Sequence, residues 1–314
     1  MIQVPTMSFY EYCELLGVDR PGIPEDIKIT SLLYKSQIER TQIMMQLSKV
    51  QNHFMRYLQV GGFPELALAD NDIMAQQIMR EDVVDKVLKR DLPSLYNIRN
   101  ATELERIFLY LCNVSSEMVS IDAITKELNG VSRTTVENYI QYLESANLIY
   151  QSWPVDMAGK KILKARPKIY IADAAIRNAV LMDESVLSDP VEMGKIVETA
   201  VYKHIAAFYY QIATSVGYFR GGKKNKEIDV VVDYPNIKNI LIEVKYRDGA
   251  PVADDDAIIE LCEEASAAII VTKSADDYGI HNTKSGKNLL RIPAYAFLYL
   301  LGNAEKHGYR GVEQ

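Results

Sequence analysis

The spacing of apolar positions predicts helices through the first hundred residues. Ser8 to Leu16 is a short amphipathic stretch, and a long helical pattern runs from Ser31 to Val60 until Gly61-Gly62-Phe63-Pro64 stops it. Ile73 to Leu92 has the same helical spacing. We expect Pro93 to end this helix, because proline lacks the backbone N–H that helical hydrogen bonding needs. Residues 1–100 are therefore interpreted as a helical linker or lid region.

Residues 101–175 predict three helices followed by a two-stranded hairpin. In the third helix, Val136, Ile140 and Leu143 recur at helical spacing on one face, after a turn at Gly130 and a Ser132 suited to N-capping. Helix, turn, helix and two-stranded wing is the order of a winged helix-turn-helix. The predicted elements are helices at Leu104–Cys112, Ile121–Leu128 and 133–146, and strands at Leu148–Val155 and Lys168–Ala172.

The loop between the two predicted wing strands is basic. Its five basic residues against one acid give a local net charge of +4, which suits contacts to nucleic-acid phosphates. However, the polar face of the third helix has no arginine or lysine between Thr134 and Ser145, which weakens base reading in a DNA groove. The alternative is a small protein-docking domain whose lysines are merely solvated. The basic residues are Lys160, Lys161, Lys164, Arg166 and Lys168, and the acid is Asp156.

Residues 176–314 predict an α/β domain with a mixed sheet. A long helix is followed by three strands, a second helix and a fourth strand. Together with the helical region and the winged helix, this predicts an α+β fold for the whole chain. The predicted elements are a helix at Val191–Tyr210, strands at Val216–Arg220, Glu227–Val232 and Ile240–Tyr246, a helix at 252–265, and a strand at Ala267–Thr272.

Two neighbouring strands of this domain place acids close together. Side chains alternate across a strand, so Glu243 and Lys245 project from the same face. On the preceding strand, Ile228, Val230 and Val232 are expected on one face and Glu227, Asp229, Val231 and Asp233 on the other. Antiparallel pairing across the short turn between the strands can bring Asp229 beside Glu243.

Two converging carboxylates with an ammonium suit Mg²⁺ or Mn²⁺, because hard cations prefer oxygen ligands. We expect Asp229 and Glu243 to be the metal ligands, Lys245 to orient or deprotonate an attacking water, and Glu198 on the preceding helix to complete the site. Blander interpretations stay open. Glu243 and Lys245 can form a solvated pair, and Glu198 can form a salt bridge with Lys245 or Arg220.

Other charged residues have both a functional and a structural interpretation. Arg220, Lys223, Lys224 and Lys226 can hold a nucleic-acid backbone or can form a solvated turn. Asp173 is expected to cap the following helix. The run Asp254-Asp255-Asp256 most simply begins a helix, where acids interact favourably with the dipole.

Composition and charge exclude several classes of protein. The 314 residues are 48 % hydrophobic and 25 % charged, which is ordinary for a globular protein, and the net charge of −7 excludes a uniformly basic nucleic-acid coat. Three scattered cysteines suggest neither a disulfide framework nor a zinc site, and a reducing cytoplasm is the expected location. The longest apolar run has only 8 residues, so no membrane span is expected. No phosphate-binding GxxxxGK[ST] loop is present, so no nucleotide site is expected.

The acids and lysine of the third region resemble a known signature. Asp229, a gap of 13 residues and then Glu243-Val244-Lys245 resemble the Asp…Glu-x-Lys motif of the PD-(D/E)xK, or restriction-endonuclease-like, nucleases. Glu198 matches an acid that several branches of this superfamily carry on the helix before the first strand. The family's proline is absent, since Ile228 precedes Asp229. The resemblance implies a restriction-endonuclease-like fold.

The chain as a whole resembles the C-terminal part of a prokaryotic family of AAA-type ATPases. This family carries a domain of unknown function with a winged helix and a nuclease-like fold. The ATPase core is missing, which indicates a truncated form or a gene start placed late, and no ATP hydrolysis is expected from this chain. The matching segments, in order, are Val4–Tyr12, the Gly-Gly-Phe-Pro-Glu turn at Gly61–Glu65, the winged helix, Lys168–Asp173, Gly194 with Glu198, Glu227–Asp229 and Ile242–Lys245.

The leading hypothesis is a metal-dependent, nuclease-like effector portion of an AAA-type ATPase that binds nucleic acid, with DNA favoured, and hydrolyses phosphodiester bonds. Its expected partners are nucleic acid and either the missing ATPase half or homologous subunits. The alternative is a non-catalytic regulatory or protein-interaction module with a degenerate nuclease fold. A weaker third hypothesis is a plain transcriptional regulator, which would bind duplex DNA without a metal.

Overall fold

A computed structural model describes residues 5–128, 130–157, 166–182, 187–209, 213, 215–221, 226–233 and 238–307. The fold is mixed, with helices packed on a nine-stranded sheet that has both parallel and antiparallel neighbours. The α+β fold expected from the sequence is therefore confirmed. None of the helices within these ranges is long and apolar enough to cross a membrane.

Short helices make up the N-terminal region. Ser8 caps the first helix and exchanges hydrogen bonds with Glu11, which forms a capping box. A second capping box at Ser36 and Glu39 starts a new helix, so the long pattern from Ser31 to Val60 is broken into several pieces. The α-helices are α1 (Phe9–Leu15), α2 (Gln37–Leu47), α3 (Phe54–Val60), α4 (Pro64–Ala67), α5 (Asp72–Ile78) and α6 (Leu92–Tyr96), with 3₁₀ turns at Ile29–Leu33 and Ser48–His53.

The expectation that Pro93 ends a helix is wrong. Helical structure continues from α5 through two π-helical segments, Met79–Asp85 and Val87–Asp91, into α6, where Pro93 lies in the first turn. In the π-helical geometry the N–H of Leu92 bonds to the carbonyl of Val87, five residues back. Proline is tolerated just after this change of pitch, because the first turn of a helix does not need its N–H.

The central region has the element order predicted for a winged helix. Ser132 caps the third helix by accepting a hydrogen bond from the Thr135 N–H at 3.1 Å. Val136, Ile140 and Leu143 are buried on its inner face, as their spacing predicts. The elements are α7 (Ala101–Asn113), β1 (Glu117–Met118), α8 (Ile121–Glu127), α9 (Arg133–Ser145), β2 (Ile149–Pro154) and β3 (Lys168–Ile171), followed by α10 (Ala174–Leu181).

One sheet joins the wing to the third region. Its strand order is β1-β3-β2-β4-β5-β6-β7-β9-β8. The wing strand β2 pairs in parallel with β4 through Trp153↔Gly217 and Pro154↔Tyr218. A Cβ at Gly217 would lie 2.2 Å from the Trp153 carbonyl oxygen, so this close approach requires glycine. The remaining strands are β4 (Ser215–Gly221), β5 (Lys226–Asp233), β6 (Ile240–Lys245), β7 (Ala267–Thr272), β8 (Gly279–Asn282) and β9 (Asn288–Pro293).

Helices cover both faces of the sheet. The larger hydrophobic core includes α11 (Pro190–Tyr209) and α13 (Ala294–Lys306), and a smaller one packs α12 (Ala257–Leu261) on the other face. The helix predicted at 252–265 is therefore much shorter than expected, although a 3₁₀ turn at Cys262–Glu264 extends it. The longest apolar run of the chain forms most of α13 and is buried.

A buried lysine on α11 holds the N-terminal segment in place through hydrogen bonds and an ion pair. Lys203 donates to Asp173 at 2.9 Å, to the Met7 carbonyl at 2.8 Å and to the Tyr57 hydroxyl at 3.0 Å. Asp173 also accepts from the Gly62 N–H at 3.0 Å, and a Cβ at Gly62 would lie 2.2 Å from the Met7 carbonyl oxygen. The Gly-Gly turn therefore serves close packing. The predicted domain boundaries stay a prediction, since one continuous core runs through all three regions.

Candidate functional site

Asp229 lies where β5 and β6 separate. The two strands pair antiparallel through Val230↔Ile242 and two further residue pairs, and Asp229 is the next residue of β5 beyond this pairing. At that point the Val244 N–H donates to the Asp229 carboxylate at 2.8 Å. The side chain thus takes the place of a backbone acceptor in the ladder, which holds Asp229 between the two strands.

A β-bulge sets the direction of the Asp229 side chain. Gly217 pairs with Val231 and Phe219 with Ile228, so β5 has one extra residue over this interval. Ile228 accordingly packs in the smaller core with Val231, whereas Val230 packs in the larger core. The expectation that Ile228 shares a face with Val230 and Val232 is therefore wrong. The bulge breaks the period-2 alternation and turns Asp229 toward α11.

Glu198 lies on α11 and faces the wing strand β3. It accepts hydrogen bonds from the Tyr170 hydroxyl at 2.8 Å and from the Lys168 ammonium at 3.1 Å. The salt bridge considered for Glu198 thus exists, but its partner is neither Lys245 nor Arg220. Alternation along β3 puts Lys168 and Tyr170 on the same face, which explains why both side chains meet this one acid.

The strand predicted to begin at Lys168 is confirmed, but Lys168 is not one of the exposed charges of the basic wing loop, where the sequence also counts it. Its side chain is only 4 % exposed, and its ammonium contacts three carboxylates: Glu227 at 2.5 Å, Glu198 at 3.1 Å and Asp229 at 3.2 Å. Burial alone would lower the pKa of Lys168, but the three carboxylates outweigh burial and raise it above its ordinary value. The three carboxylates thus favour the charged form of Lys168.

Lys245 is also held by acids. Its ammonium lies 3.2 Å from Glu243 and 2.5 Å from Asp256, and it donates to the Pro251 carbonyl at 3.3 Å. Asp256 occupies the N-cap position of α12, so the acidic run does begin a helix, as expected. Its side chain, however, contacts Lys245 and the Ala253 N–H.

The acids around Lys168 and those around Lys245 form two neighbouring sets, linked by the hydrogen bond from the Val244 N–H to Asp229 and by the effect of the Asp229 charge on Glu243. We call them together the acidic cluster: Glu198, Glu227, Asp229, Glu243 and Asp256 with Lys168 and Lys245. Fully ionised, its five carboxylates and two ammonium groups leave a formal excess of three negative charges. Burial, then the charge of Asp229, raise the pKa of Glu198 to about 7, although Lys168 opposes this. Burial also raises the pKa of Glu243 to about 7, with Lys245 opposing and Asp229 adding to the shift. Asp229 thus lies within electrostatic reach of both glutamates.

One oxygen of the acidic cluster lacks a partner. Glu243 Oε2 is buried and makes no hydrogen bond to the described part of the chain. A buried carboxylate oxygen without a donor is costly and normally indicates a missing ligand or water. Yet within the described ranges no three acidic, histidine or cysteine side chains converge as a ready-made metal site. In this conformation the Lys168 ammonium lies among the acids instead.

Most of the predicted nucleic-acid contacts lie outside the described residues, namely Lys160, Lys161, Lys164, Lys223 and Lys224. Arg166 is exposed just before β3, and its carbonyl accepts from the Tyr218 hydroxyl at 2.7 Å. Arg220 is exposed on β4, where its guanidinium contacts the Met118 sulfur. The polar face of α9 is exposed as predicted. Arg133 at its start is paired with Asp122 and Glu137.

Asp173 caps α10 by accepting from the Ala175 N–H at 3.0 Å, as the sequence predicts. Its buried partner Lys203 was not predicted. Beside Lys203, burial and then the lysine's charge lower the pKa of His204 to about 3. All three cysteines are free and buried, in agreement with the absence of a disulfide framework.

Two family models match the chain, both describing domains of unknown function. DUF8612 matches residues 51–186, and DUF4143 matches residues 193–295. The candidate site combines residues from both matched regions. All five carboxylates and Lys245 lie in the DUF4143 match, whereas Lys168 lies in the DUF8612 match.

The chain is also similar to uncharacterized prokaryotic proteins. From Methanocaldococcus jannaschii, the uncharacterized protein MJ1544 is 28 % identical over 68 % of this chain and 44 % of its own length, and MJ1637 is 21 % identical over 94 % and 59 %. An uncharacterized protein of Haemophilus influenzae is 25 % identical over 48 % of this chain and 38 % of its own length. The chain thus spans about 38 to 59 % of the length of these relatives.

Proposed function

We propose that this chain is a metal-dependent, nuclease-like unit that binds nucleic acid and hydrolyses phosphodiester bonds. The supporting observation is the acidic cluster itself. Glu198, Asp229, Glu243 and Lys245, chosen from the sequence, lie in one mostly buried group with an excess of negative charge and an unpartnered Glu243 oxygen. Perturbed carboxylates that converge in this way are typical of functional sites.

The residues of the cluster fit a divalent cation. Asp229 and Glu243 would be its ligands, since they carry hard oxygens and one of these, Glu243 Oε2, has no partner among the described residues. Bound there, the cation supplies Lewis-acid chemistry, because it lowers the pKa of a bound water and polarises a phosphate. Lys245 stabilises negative charge beside Glu243, and Glu198 orients the site from α11. With a pKa of about 7, Glu198 is suited to exchange a proton near neutral pH.

The proposed unit works as the effector portion of a larger ATPase. This placement rests on the ordered set of motifs that resembles AAA-type ATPases. It also rests on the relatives, which extend well beyond the region that this chain matches. The partners proposed are a nucleic acid, favouring DNA, and an ATPase half or homologous subunits, and the location proposed is the cytoplasm.

A second candidate is a non-catalytic interaction module with a degenerate nuclease fold. One observation favours it, namely that both lysines of the acidic cluster already have carboxylate partners within 3.2 Å. An internally paired site would keep the fold of a nuclease without binding metal. The two candidates differ in whether the cluster takes up a divalent cation.

Cleavage assays with labelled duplex DNA, single-stranded DNA and RNA, in Mg²⁺ or Mn²⁺, test the proposal. We expect metal-dependent cutting that Asp229→Asn abolishes, because the variant loses a ligand charge but keeps its shape. The matched control is Asp233→Asn, which removes a carboxylate from the same strand outside the cluster and should leave cutting intact.

Mn²⁺ titration by calorimetry completes the test. Asp229→Asn should weaken binding at least about tenfold, a loss of about 1.4 kcal/mol in binding free energy. Equal metal affinity in Asp229→Asn and the wild type would remove the metal site from this position. Neither metal binding nor cutting of any substrate by the wild type would favour the interaction module.

A further inference from the structure

The acidic cluster already holds a cation, and this cation comes from the other matched domain. Lys168 is on β3 of the wing, 30 residues before Glu198 and 61 before Asp229 in the chain. Its ammonium has three N–H donors, and three carboxylates lie within 3.2 Å of it. Lys168 thus neutralises part of the negative charge of the acids, as a metal ion does in other acidic sites.

Both oxygens of Asp229 are engaged by donors. Oδ2 accepts from the Val244 N–H at 2.8 Å, where it completes the ladder between β5 and β6. Oδ1 contacts the Lys168 ammonium at 3.2 Å. A carboxylate oxygen has two lone pairs, so a metal can share either oxygen of Asp229 with its present donor. On Oδ1, at about 2.1 Å from the oxygen, a Mg²⁺ ion would lie no more than about 5 Å from the Lys168 ammonium, where two cations repel each other.

We propose that Lys168 is a built-in competitor of the divalent cation, so that the metal enters the acidic cluster only when the Lys168 ammonium leaves Asp229. This inference rests on the metal site of the proposed function and adds a way in which metal binding to that site is regulated. Because Lys168 lies on β3 of the wing, the competing charge comes from a different part of the chain than the acids.

The neighbourhood of Lys168 explains why the competitor is held firmly but can be displaced. The backbone of Lys168 is fixed between β1 and β2, opposite Met118 and Ser152. The wing itself meets the rest of the sheet through the short parallel pairing of β2 with β4. The four methylenes of the lysine can rotate while β3 stays in place, and the excess negative charge of the cluster attracts the incoming cation.

Metal affinity of a neutral variant tests the inference. Lys168→Met keeps the apolar stem and removes the charge, so we expect Mn²⁺ to bind at least about tenfold more tightly than in the wild type. The matched control is Lys226→Met on β5, which removes a lysine paired with Glu260 outside the cluster and should leave the affinity unchanged. Equal or weaker Mn²⁺ binding by Lys168→Met would overturn the inference.

The wild-type chain provides a second measurement that does not depend on the variant folding. Lysine acetylation followed by mass spectrometry should show Lys168 protected without metal and labelled several times faster at saturating Mn²⁺. Lys203, which is buried elsewhere, should stay protected in both states. Protection of Lys168 that persists with Mn²⁺ bound would also overturn the inference.

The two proposals fail in different ways. Tighter Mn²⁺ binding by Lys168→Met with no cutting of any substrate would refute the nuclease and leave the competition standing. Metal-dependent cutting by the wild type, with no gain of affinity in Lys168→Met, would keep the nuclease and refute the competition.

Discussion

Within the described part of the chain, the buried lysines Lys203 and Lys168 differ in how their charge is balanced by carboxylates. Around Lys203, one ammonium meets one carboxylate, Asp173, and the remaining donors and acceptors are taken by the Tyr57 and Thr6 hydroxyls and by backbone groups. Around Lys168, one ammonium meets three carboxylates, and the neighbouring Glu243 keeps an oxygen without a partner. Both lysines are almost completely buried.

This difference in charge balance distinguishes a structural ion pair from a candidate functional site. A balanced, fully hydrogen-bonded pair neutralises its own charge and needs no other ligand, so the Lys203 group ties the N-terminal segment to α11. An unbalanced group keeps excess charge in a poorly solvated place, which costs stability that the fold must supply elsewhere. Its raised glutamate pKa values are the consequence, and a divalent cation would remove the imbalance.

Breaking the balanced pair should have the largest effect. Lys203→Met leaves Asp173 as a buried charge without its cation, so the free energy of unfolding should fall by about 3 to 5 kcal/mol. Urea unfolding monitored by circular dichroism measures this.

Mn²⁺ affinity should be unchanged in every folded Lys203→Met sample, because Lys203 lies outside the acidic cluster. A loss of unfolding free energy below about 1 kcal/mol would contradict the assignment of Lys203 and Asp173 as a stabilising ion pair.

The stability of the unbalanced group around Lys168 should depend on pH. The folded-state pKa of Glu198 is raised to about 7, above its ordinary value, so its contribution to stability is present below about pH 4.5 and is lost as pH rises through 7. Glu198→Gln cannot ionise and should be more stable than the wild type at pH 8, by up to about 3 kcal/mol.

That advantage should disappear toward pH 5, and urea unfolding at pH 5, 6, 7 and 8 with a chelator present would measure it. As a control, Glu260→Gln removes an exposed carboxylate and should follow the wild-type profile. A constant difference between Glu198→Gln and the wild type across this pH range would argue against an unbalanced cluster.

An exposed ion pair gives the smallest expected effect and sets the scale of the comparison. Lys86 and Asp82 lie one helical turn apart with about half of each side chain exposed. Water screens such a pair, so Lys86→Met should change the free energy of unfolding by less than about 0.5 kcal/mol. A loss as large as that of Lys203→Met would mean that burial does not explain the difference between the lysines.

Local patterns were enough for much of the fold. Helical spacing and capping residues located α1 and α9, and period-2 alternation placed Glu243 and Lys245 together on β6, where they contact each other. Patterns failed where an irregularity intervened. The bulge in β5 moved Ile228 to the other face, and the π-helical turns carried a helix past Pro93.

These local patterns could not predict contacts between residues that are distant in the chain. Lys168 looked like one more lysine of a basic loop, because its neighbours in the chain are basic. Its burial follows from the pairing of β3 with β1 and β2 and from the packing of α11 across the wing. The alternation of Lys168 and Tyr170 on β3 was the available signal that both point toward one site.

The sequence by itself determined many of the elements, the α+β fold and the acids Glu198, Asp229 and Glu243 as candidates, because these depend on interactions between residues close in the chain or on adjacent strands. Only the tertiary structure decided which cation the acids meet. Glu198, Asp229 and Lys168 come from three separate elements, and their contacts depend on how the wing packs against α11. Charge balance in a buried site is a property of that packing, and no single segment contains it.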